Sequence, residues 1–265
     1  MTVYAQWGFK MNVLSLFDGM SCGQIALDQL DFNVDNYYAA EIDKWAMQVA
    51  KKNYPNTKHL GDVTELKGSD LPKIDLLMGG SPCQGFSFAG KQLNFDDPRS
   101  ALFFEFVRLL EETKPKYFLL ENVRMKQEYQ DVISEHLGVK PIMINSDRFI
   151  GQNRVRYYWT NIPVSELPKR PEWNNQYYQW RRVYFRANKS GVCPTLTANM
   201  GTGGHNVPLH SEDLKDKLTP NECERLQTVP DNYTEGVSNT QRYKMLGNGW
   251  TVDVIKHILQ NMERN

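Results

Sequence analysis

The sequence predicts an α/β protein: a doubly wound, mostly parallel sheet carrying a small, mostly irregular or β subdomain. Three observations predict it. Short apolar runs alternate with helical patterns through the first half of the chain. The first run passes into Asp18-Gly19-Met20-Ser21-Cys22-Gly23, the strand, glycine turn and helix start that open such folds. From residue 163 the composition shifts to basic residues interleaved with aromatics.

The first strand is Asn12-Val13-Leu14-Ser15-Leu16-Phe17, followed by a helix over 24–30. Gly19 and Gly23 let the backbone approach a ligand closely, but the turn is not GxGxxG, so a dinucleotide is not the obvious one. The second strand, Tyr37-Tyr38-Ala39-Ala40, ends at Glu41-Ile42-Asp43. A carboxylate there is placed for ribose hydroxyls. The position favours Glu41 for the ligand and Asp43 as cap of a helix over 44–53. Leu60-Gly61-Asp62-Val63 is a third strand end; Asp62 suits an adenine amine, or is a turn aspartate. Together the three ends outline a nucleoside-shaped pocket.

A fourth strand, Ile74-Asp75-Leu76-Leu77-Met78, delivers Gly79-Gly80-Ser81-Pro82-Cys83-Gln84-Gly85-Phe86-Ser87. Pro82 fixes its own φ and biases Ser81 toward extended backbone, which aims Cys83. A thiol on such a turn is a candidate nucleophile; a small buried hydrophobe is the alternative. A long loop, suited to a lid, runs to Asp96-Asp97-Pro98-Arg99. Ser100 is the expected cap of a helix over 101–112 with Leu102, Phe103, Phe106, Leu109 and Leu110 on its apolar face. The strand over 116–120 ends at Glu121-Asn122-Val123, where Glu121 is a candidate general acid or a cap. Strands over 141–145 and 157–161 read as an antiparallel edge pair. Between them, Arg154 and Arg156 share a face suited to phosphate or to a carbonyl-bearing base, or to a solvated edge.

Residues 163–195 carry Lys169, Arg170, Arg181, Arg182, Arg186 and Lys189 against Glu166 and Glu172, among Tyr177, Tyr178, Trp180, Tyr184 and Phe185. This suits a nucleic-acid surface, or the rim of a small β subdomain. Gly201-Thr202-Gly203-Gly204-His205-Asn206 is a small-residue loop able to follow a groove. Thr219-Pro220-Asn221-Glu222 is a helix start with a capping box. Leu246-Gly247-Asn248-Gly249-Trp250-Thr251 precedes a final helix over 252–262.

The chain has 265 residues, and 31 basic side chains balance 31 acidic ones. That balance neither demands nor excludes nucleic acid, since a local basic patch suffices. Cys22, Cys83, Cys193 and Cys223 are far apart without CxxC spacing, so neither a metal site nor a disulfide framework is expected, and a reducing cytoplasm is the natural compartment. No apolar run approaches membrane-spanning length and no signal peptide is visible. Residues 1–10 precede a second methionine and are given no function.

With these blocks in this order, the chain resembles the DNA (cytosine-5)-methyltransferases over nearly its whole length. The blocks are Phe17-Asp18-Gly19 with Gly23, Glu41, Asp62, the segment from Gly80 through Cys83 to Ser87, Glu121-Asn122-Val123, Gln152 with Arg154 and Arg156, Pro194-Thr195-Leu196-Thr197-Ala198, and Gly247-Asn248. The ending looks somewhat like that of the animal de novo branch. The resemblance implies a class I methyltransferase fold and S-adenosylmethionine as methyl donor, without a metal. Phe17 would stack on the adenine, Glu41 would hold the ribose and Asp62 the amine. Asp18, Gly19, Gly23, Leu102 and Asn248, with Val63 and Pro82, would complete the site. Ile42 stands where family members often carry tryptophan, and Trp250 would compensate. Cys83 would attack carbon 6 of a flipped cytosine, Glu121 would bind its ring nitrogen and amine, Arg156 its carbonyl, and Arg154 would support the nucleophile or the backbone.

Duplex DNA is the implied partner. Gln84, Ser87, Arg99, Arg181, Arg182, Arg186, Thr202, Gly203, Gly204 and His205 are its candidate contacts. The implied division is a catalytic part, 11–162 with 245–265, and a target-recognition part, 163–244. A monomer in a bacterial or phage-infected cytoplasm is expected, in some settings paired with a cognate restriction endonuclease. Two rivals stand beside this reading. The tRNA branch is marked by a Cys-Phe-Thr tripeptide absent here. A catalytically silent regulator would lose the nucleophile or the cofactor loop, and both are present.

Overall fold

Strand by strand, the alternation of apolar residues decides which face of the sheet each side chain joins. In the computed structural model residues 10–81, 98–203 and 206–263 are described, residues 98–100 by backbone alone. The main sheet contains β1 (Met11–Leu16), β2 (Val34–Ala40), β3 (Lys58–Gly61), β4 (Leu76–Gly79), β5 (Tyr117–Val123), β6 (Ile142–Asn145) and β7 (Val155–Thr160). Its order is β3-β2-β1-β4-β5-β7-β6. β1 to β5 are mutually parallel, and β7 runs antiparallel to both β5 and β6. The chain winds outward from β1 to β3, then returns to lay β4 on the other side of β1. This reversal opens a crevice beyond the C-terminal ends of β1 and β4, where doubly wound folds take their ligands.

Both faces of the sheet are covered, as a parallel sheet requires. The helices are α1 (Cys22–Gln29), α2 (Lys44–Asn53), α3 (Pro98–Thr113), α4 (Gln127–Leu137), α5 (Pro220–Leu226), α6 (Asn239–Asn248) and α7 (Val252–Leu259). Val13, Leu76, Met78 and Leu119 join one buried cluster with Ile25 of α1 and Ile255, Ile258 and Leu259 of α7. Their strand neighbours Leu14, Leu77 and Leu120 join another, with Phe103, Phe106 and Leu109 of α3 and Ile133 of α4. This is the period-two division of strand side chains.

A second sheet, β10-β8-β9, is antiparallel. It comprises β8 (Tyr177–Trp180), β9 (Phe185–Asn188) and β10 (Val207–Leu209). It is not a separate core: Val207, Leu209, Cys193, Leu196, Leu218 and Cys223 belong to the same cluster as Val13 and Ile255.

Three expectations change. α3 begins at Pro98, so Ser100 lies inside the helix and does not cap it. Glu121 lies within β5 and not beyond it, because pairing with β7 carries the strand past its apolar run: Glu121 faces Tyr158, and Val123 faces Arg156. Helices α4 and α6 appear where no helix is expected from the sequence. Asp43 caps α2 as expected, accepting from the amides of Trp45 and Ala46. The capping box of Thr219 and Glu222 opens α5.

Candidate active site

The register of the sheet aligns its strand ends. Ala40 is level with Leu16, Leu16 with Gly79, and Gly79 with Leu120. The residues one step further are Glu41, Phe17, Gly80 and Glu121. They stand along one edge and all line a cavity of about 720 Å³.

At the β1–β3 end the cavity is built around Glu41. Its Oε2 accepts from the Gly19 amide at 2.7 Å, and its Oε1 from the amides of Ile42 and Asp43, each at 2.8 Å. These fix the carboxylate and leave acceptor directions open toward the cavity. The turn that brings Gly19 here needs left-handed backbone at Phe17 (φ 56°) and Gly19 (φ 60°). Asp18 accepts from the Tyr37 hydroxyl at 2.7 Å and from Ser21. Burial pushes the Asp18 carboxyl up to about 6, against these hydrogen bonds. Ile42 lines the wall although 71% exposed. Val63, Leu102 and Asp62 line it too. Asp62 Oδ1 accepts from the Thr64 amide and hydroxyl, each at 2.9 Å.

At the β4–β5 end stands Glu121. Its Oε1 pairs with Arg156 Nε at 2.9 Å, and its Oε2 accepts from Trp250 Nε1 at 3.1 Å. Asn122 donates to Ser81 Oγ at 3.1 Å, tying the end of β4 to β5. Arg154 also reaches the cavity, but its guanidinium is committed to the carbonyls of Leu196, Gly247 and Gly249 at 3.1, 3.1 and 2.7 Å. Burial, with Arg156 adjacent, holds it below the usual arginine range. The pair therefore splits: Arg156 faces the carboxylate, and Arg154 braces the wall.

Cysteine placement is informative. Cys22, Cys193 and Cys223 are buried. Burial pushes Cys22 up to about 12 and raises the other two as well. None is poised as a thiolate. Cys83, with Pro82, Gln84, Ser87, Gly204 and His205, lies outside the described residues, and Arg99 is described by backbone alone.

Gly23 is not in the cavity wall. A Cβ on it would stand 2.6 Å from Met78 Cε, so its small size serves packing of α1 on the sheet and not approach to a ligand. Asn248 and Trp250 do line the wall. Arg181 donates to Asn206 at 2.6 Å, and Arg182, Arg186, Thr202 and Gly203 are exposed beyond the cavity. Four wall residues given no role from the sequence are Thr195, Thr197, Gln241 and Lys244. Thr197 Oγ1 and Gln241 Oε1 are buried without a hydrogen-bond partner. Among the described residues no cluster of metal-binding side chains occurs, and no helix is long and apolar enough to cross a membrane.

The model of the C-5 cytosine-specific DNA methylases matches residues 11–162 and 128–264. The chain is 33% identical to the Type II methyltransferase M.Bsp6I of Bacillus sp. (strain RFL6), over 96% of this chain and 99% of that one. It is 30% identical to the Type II methyltransferase M.NlaX of Neisseria lactamica, over 95% and 96% of the two chains. Among solved structures, the fold is similar to that of the Entamoeba histolytica methyltransferase EhMeth, with a TM-score of 0.71 at 18% identity over 96% and 98% of the chains. It is similar also to that of the S. pombe Dnmt2 methyltransferase, with a TM-score of 0.68 at 17% identity over 94% and 97%.

Proposed function

From the premise that this chain belongs to the C-5 cytosine-specific DNA methylases and is a DNA (cytosine-5)-methyltransferase, we propose that Cys83, Glu121 and Arg156 carry the reaction. The observation that supports this most is Glu121, whose carboxylate stands beside the end of the strand leading to Cys83 and is paired with Arg156.

Enzymes of this family use S-adenosylmethionine, and the cavity fits it. Glu41 offers free acceptor directions for ribose hydroxyls, Asp62 keeps one carboxylate oxygen for an amine, and Phe17, Ile42, Val63 and Leu102 supply apolar walls. Asp18, Gly19, Asn248 and Trp250 enclose the remainder. When bound, the cofactor supplies an electrophilic methyl group.

The protein's own task is to make a poor nucleophile reactive. Carbon 5 of cytosine gains electron density when the Cys83 thiolate adds to carbon 6 and the ring becomes an enamine; once carbon 5 carries the methyl group, loss of its proton to solvent expels the thiolate from carbon 6 and restores the ring. Glu121, sharing a proton with ring nitrogen 3 and accepting from the exocyclic amine, stabilises the charge that develops there. Arg156 holds the base's carbonyl oxygen. Arg154 keeps the loops around 196 and 247–249 in place. The other three cysteines are buried, with thiols raised by that burial, which supports the choice of Cys83 as the thiolate. A base inside a duplex cannot reach this cavity, so the target is flipped out, at a cost of a few kcal/mol.

Residues 163–244 act as the target-recognition part, with Arg181, Arg182 and Arg186 facing the duplex, while 11–162 with 245–265 carry out the chemistry. The shared core makes this a division of labour and not of folding. The names of the Type II relatives support a restriction-modification setting. Incubation with labelled S-adenosylmethionine and either duplex DNA or tRNA, followed by bisulfite mapping, tests the reading. Methyl groups on cytosine in duplex DNA are expected; methylation of tRNA alone, or of neither, contradicts it.

A further inference from the structure

We propose that Trp250 is a positioning residue for Glu121, so that the loop enclosing the cofactor end of the cavity also sets the catalytic carboxylate. The proposal rests on the reading of Glu121 as the group that meets the cytosine.

Glu121 is held at both oxygens. Arg156 Nε meets Oε1 at 2.9 Å, and Trp250 Nε1 donates to Oε2 at 3.1 Å. A glutamate with one contact turns freely about its last bond; two donors from different segments fix the carboxylate plane. One oxygen still keeps a lone pair to accept from the exocyclic amine, and a proton on the other meets ring nitrogen 3. Gly80, two residues after Met78 of β4, stands against both partners. A Cβ there would lie 3.0 Å from Trp250 Nε1 and 3.1 Å from Glu121 Oε2. The absence of a side chain at Gly80 is what lets the indole and the carboxylate meet just beyond the end of β4.

Trp250 is itself braced on both sides. The Gly249 carbonyl accepts from Arg154 at 2.7 Å and from Gln227 Nε2 at 3.0 Å. Thr251 Oγ1 donates to Gln227 Oε1 at 2.9 Å, and Gln227 also donates to the Leu246 carbonyl at 2.7 Å. Gln227 is fully buried. The indole is thus presented by a loop whose flanking backbone is anchored to the core, and that loop follows directly on Asn248, the last residue of α6, which lines the cavity wall.

The test is Trp250→Phe in the full chain, which keeps an aromatic ring and removes the N–H donor. Single-turnover methylation of duplex DNA is followed, with S-adenosylhomocysteine affinity measured in parallel. The chemical step is expected to fall roughly 10- to 100-fold, the cost of a slightly misplaced catalytic group, with cofactor affinity retained. Gly80→Ala, which crowds the same pair, should reproduce this effect and serves if the first variant does not fold. A rate unchanged in the variants, or a loss confined to cofactor affinity, overturns the proposal. Glu121→Gln is the control. If it keeps full activity, the catalytic reading of Glu121 fails; if it loses activity while Trp250→Phe does not, only the positioning role fails.

Discussion

At the scale of single residues, Glu121 and Asp18 show how differently two carboxylates on one sheet edge are treated. Glu121 is ion-paired with Arg156. Replacing it with Gln should lower kcat by about 10²- to 10⁴-fold, the range for losing an acid–base group. Cofactor binding, read by calorimetry with S-adenosylhomocysteine, should persist. Asp18 has no cationic partner among its perturbing neighbours, and burial raises it from 3.8 to about 6. Its folded value therefore exceeds its unfolded one. The stability contributed by its neutral form is complete below about pH 4 and is lost as pH rises through about 6. Asp18→Asn, neutral throughout, should flatten the fall in Tm over that window in the cofactor-free protein; an unchanged slope would contradict the assignment. Glu41 and Glu121 were legible because acids at or beside strand ends have few bland uses. Gln227 and Gln241 were not, because their significance comes from carbonyls and cavity space that only the tertiary fold supplies.

Elements carry the next level of constraint. The end of α6 crosses the segment at Thr197 so closely that a Cβ on Gly247 would stand 2.2 Å from the Thr197 carbonyl carbon. Gly247→Ala should cost roughly 1–3 kcal/mol or more as an overpacking change, visible in urea denaturation. It should also disturb the carbonyls that Arg154 grips. Thr219→Ala removes the capping box of α5 and should cost about 1 kcal/mol, with little effect on rate. That box was legible because its partners are three residues apart. Helix α6 was not: Arg242, Tyr243 and Gly247 are among its buried residues, and no apolar stripe announces them. Arg242 is buried because it pairs with fully buried Glu224, a partner from α5 that sequence periodicity does not reveal. Helix α4 lacks a side-chain cap, so its start carries no local mark.

For the whole molecule, the winding order of the sheet explains why one cavity spans the ends of β1 to β5. β1 and β4 flank the reversal point, and β2 and β5 extend its rim on either side. A doubly wound, mostly parallel sheet was foreseeable from alternating strands and helices, its order was not; the antiparallel insertion of β7 between β5 and β6 fixes Arg156 opposite Val123 and close to Glu121. A single buried cluster joins the β8–β10 region to α1 and α7. Thermal unfolding should accordingly be one cooperative transition; two separated transitions would show that 163–244 folds alone. Because the formal net charge is zero, DNA affinity must come from local patches. Arg182→Ala and Arg186→Ala should each weaken DNA binding and lower its salt slope by about 1. The central claim is that Cys83 forms the covalent bond to cytosine. Its most direct test is trapping on duplex DNA containing 5-fluorocytosine in the presence of S-adenosylmethionine, with peptide mass spectrometry of the adduct. The expected result is a stable protein–DNA adduct located at Cys83 and absent in Cys83→Ser; an adduct that persists in Cys83→Ser, or none in the native chain on DNA it methylates, would contradict the account.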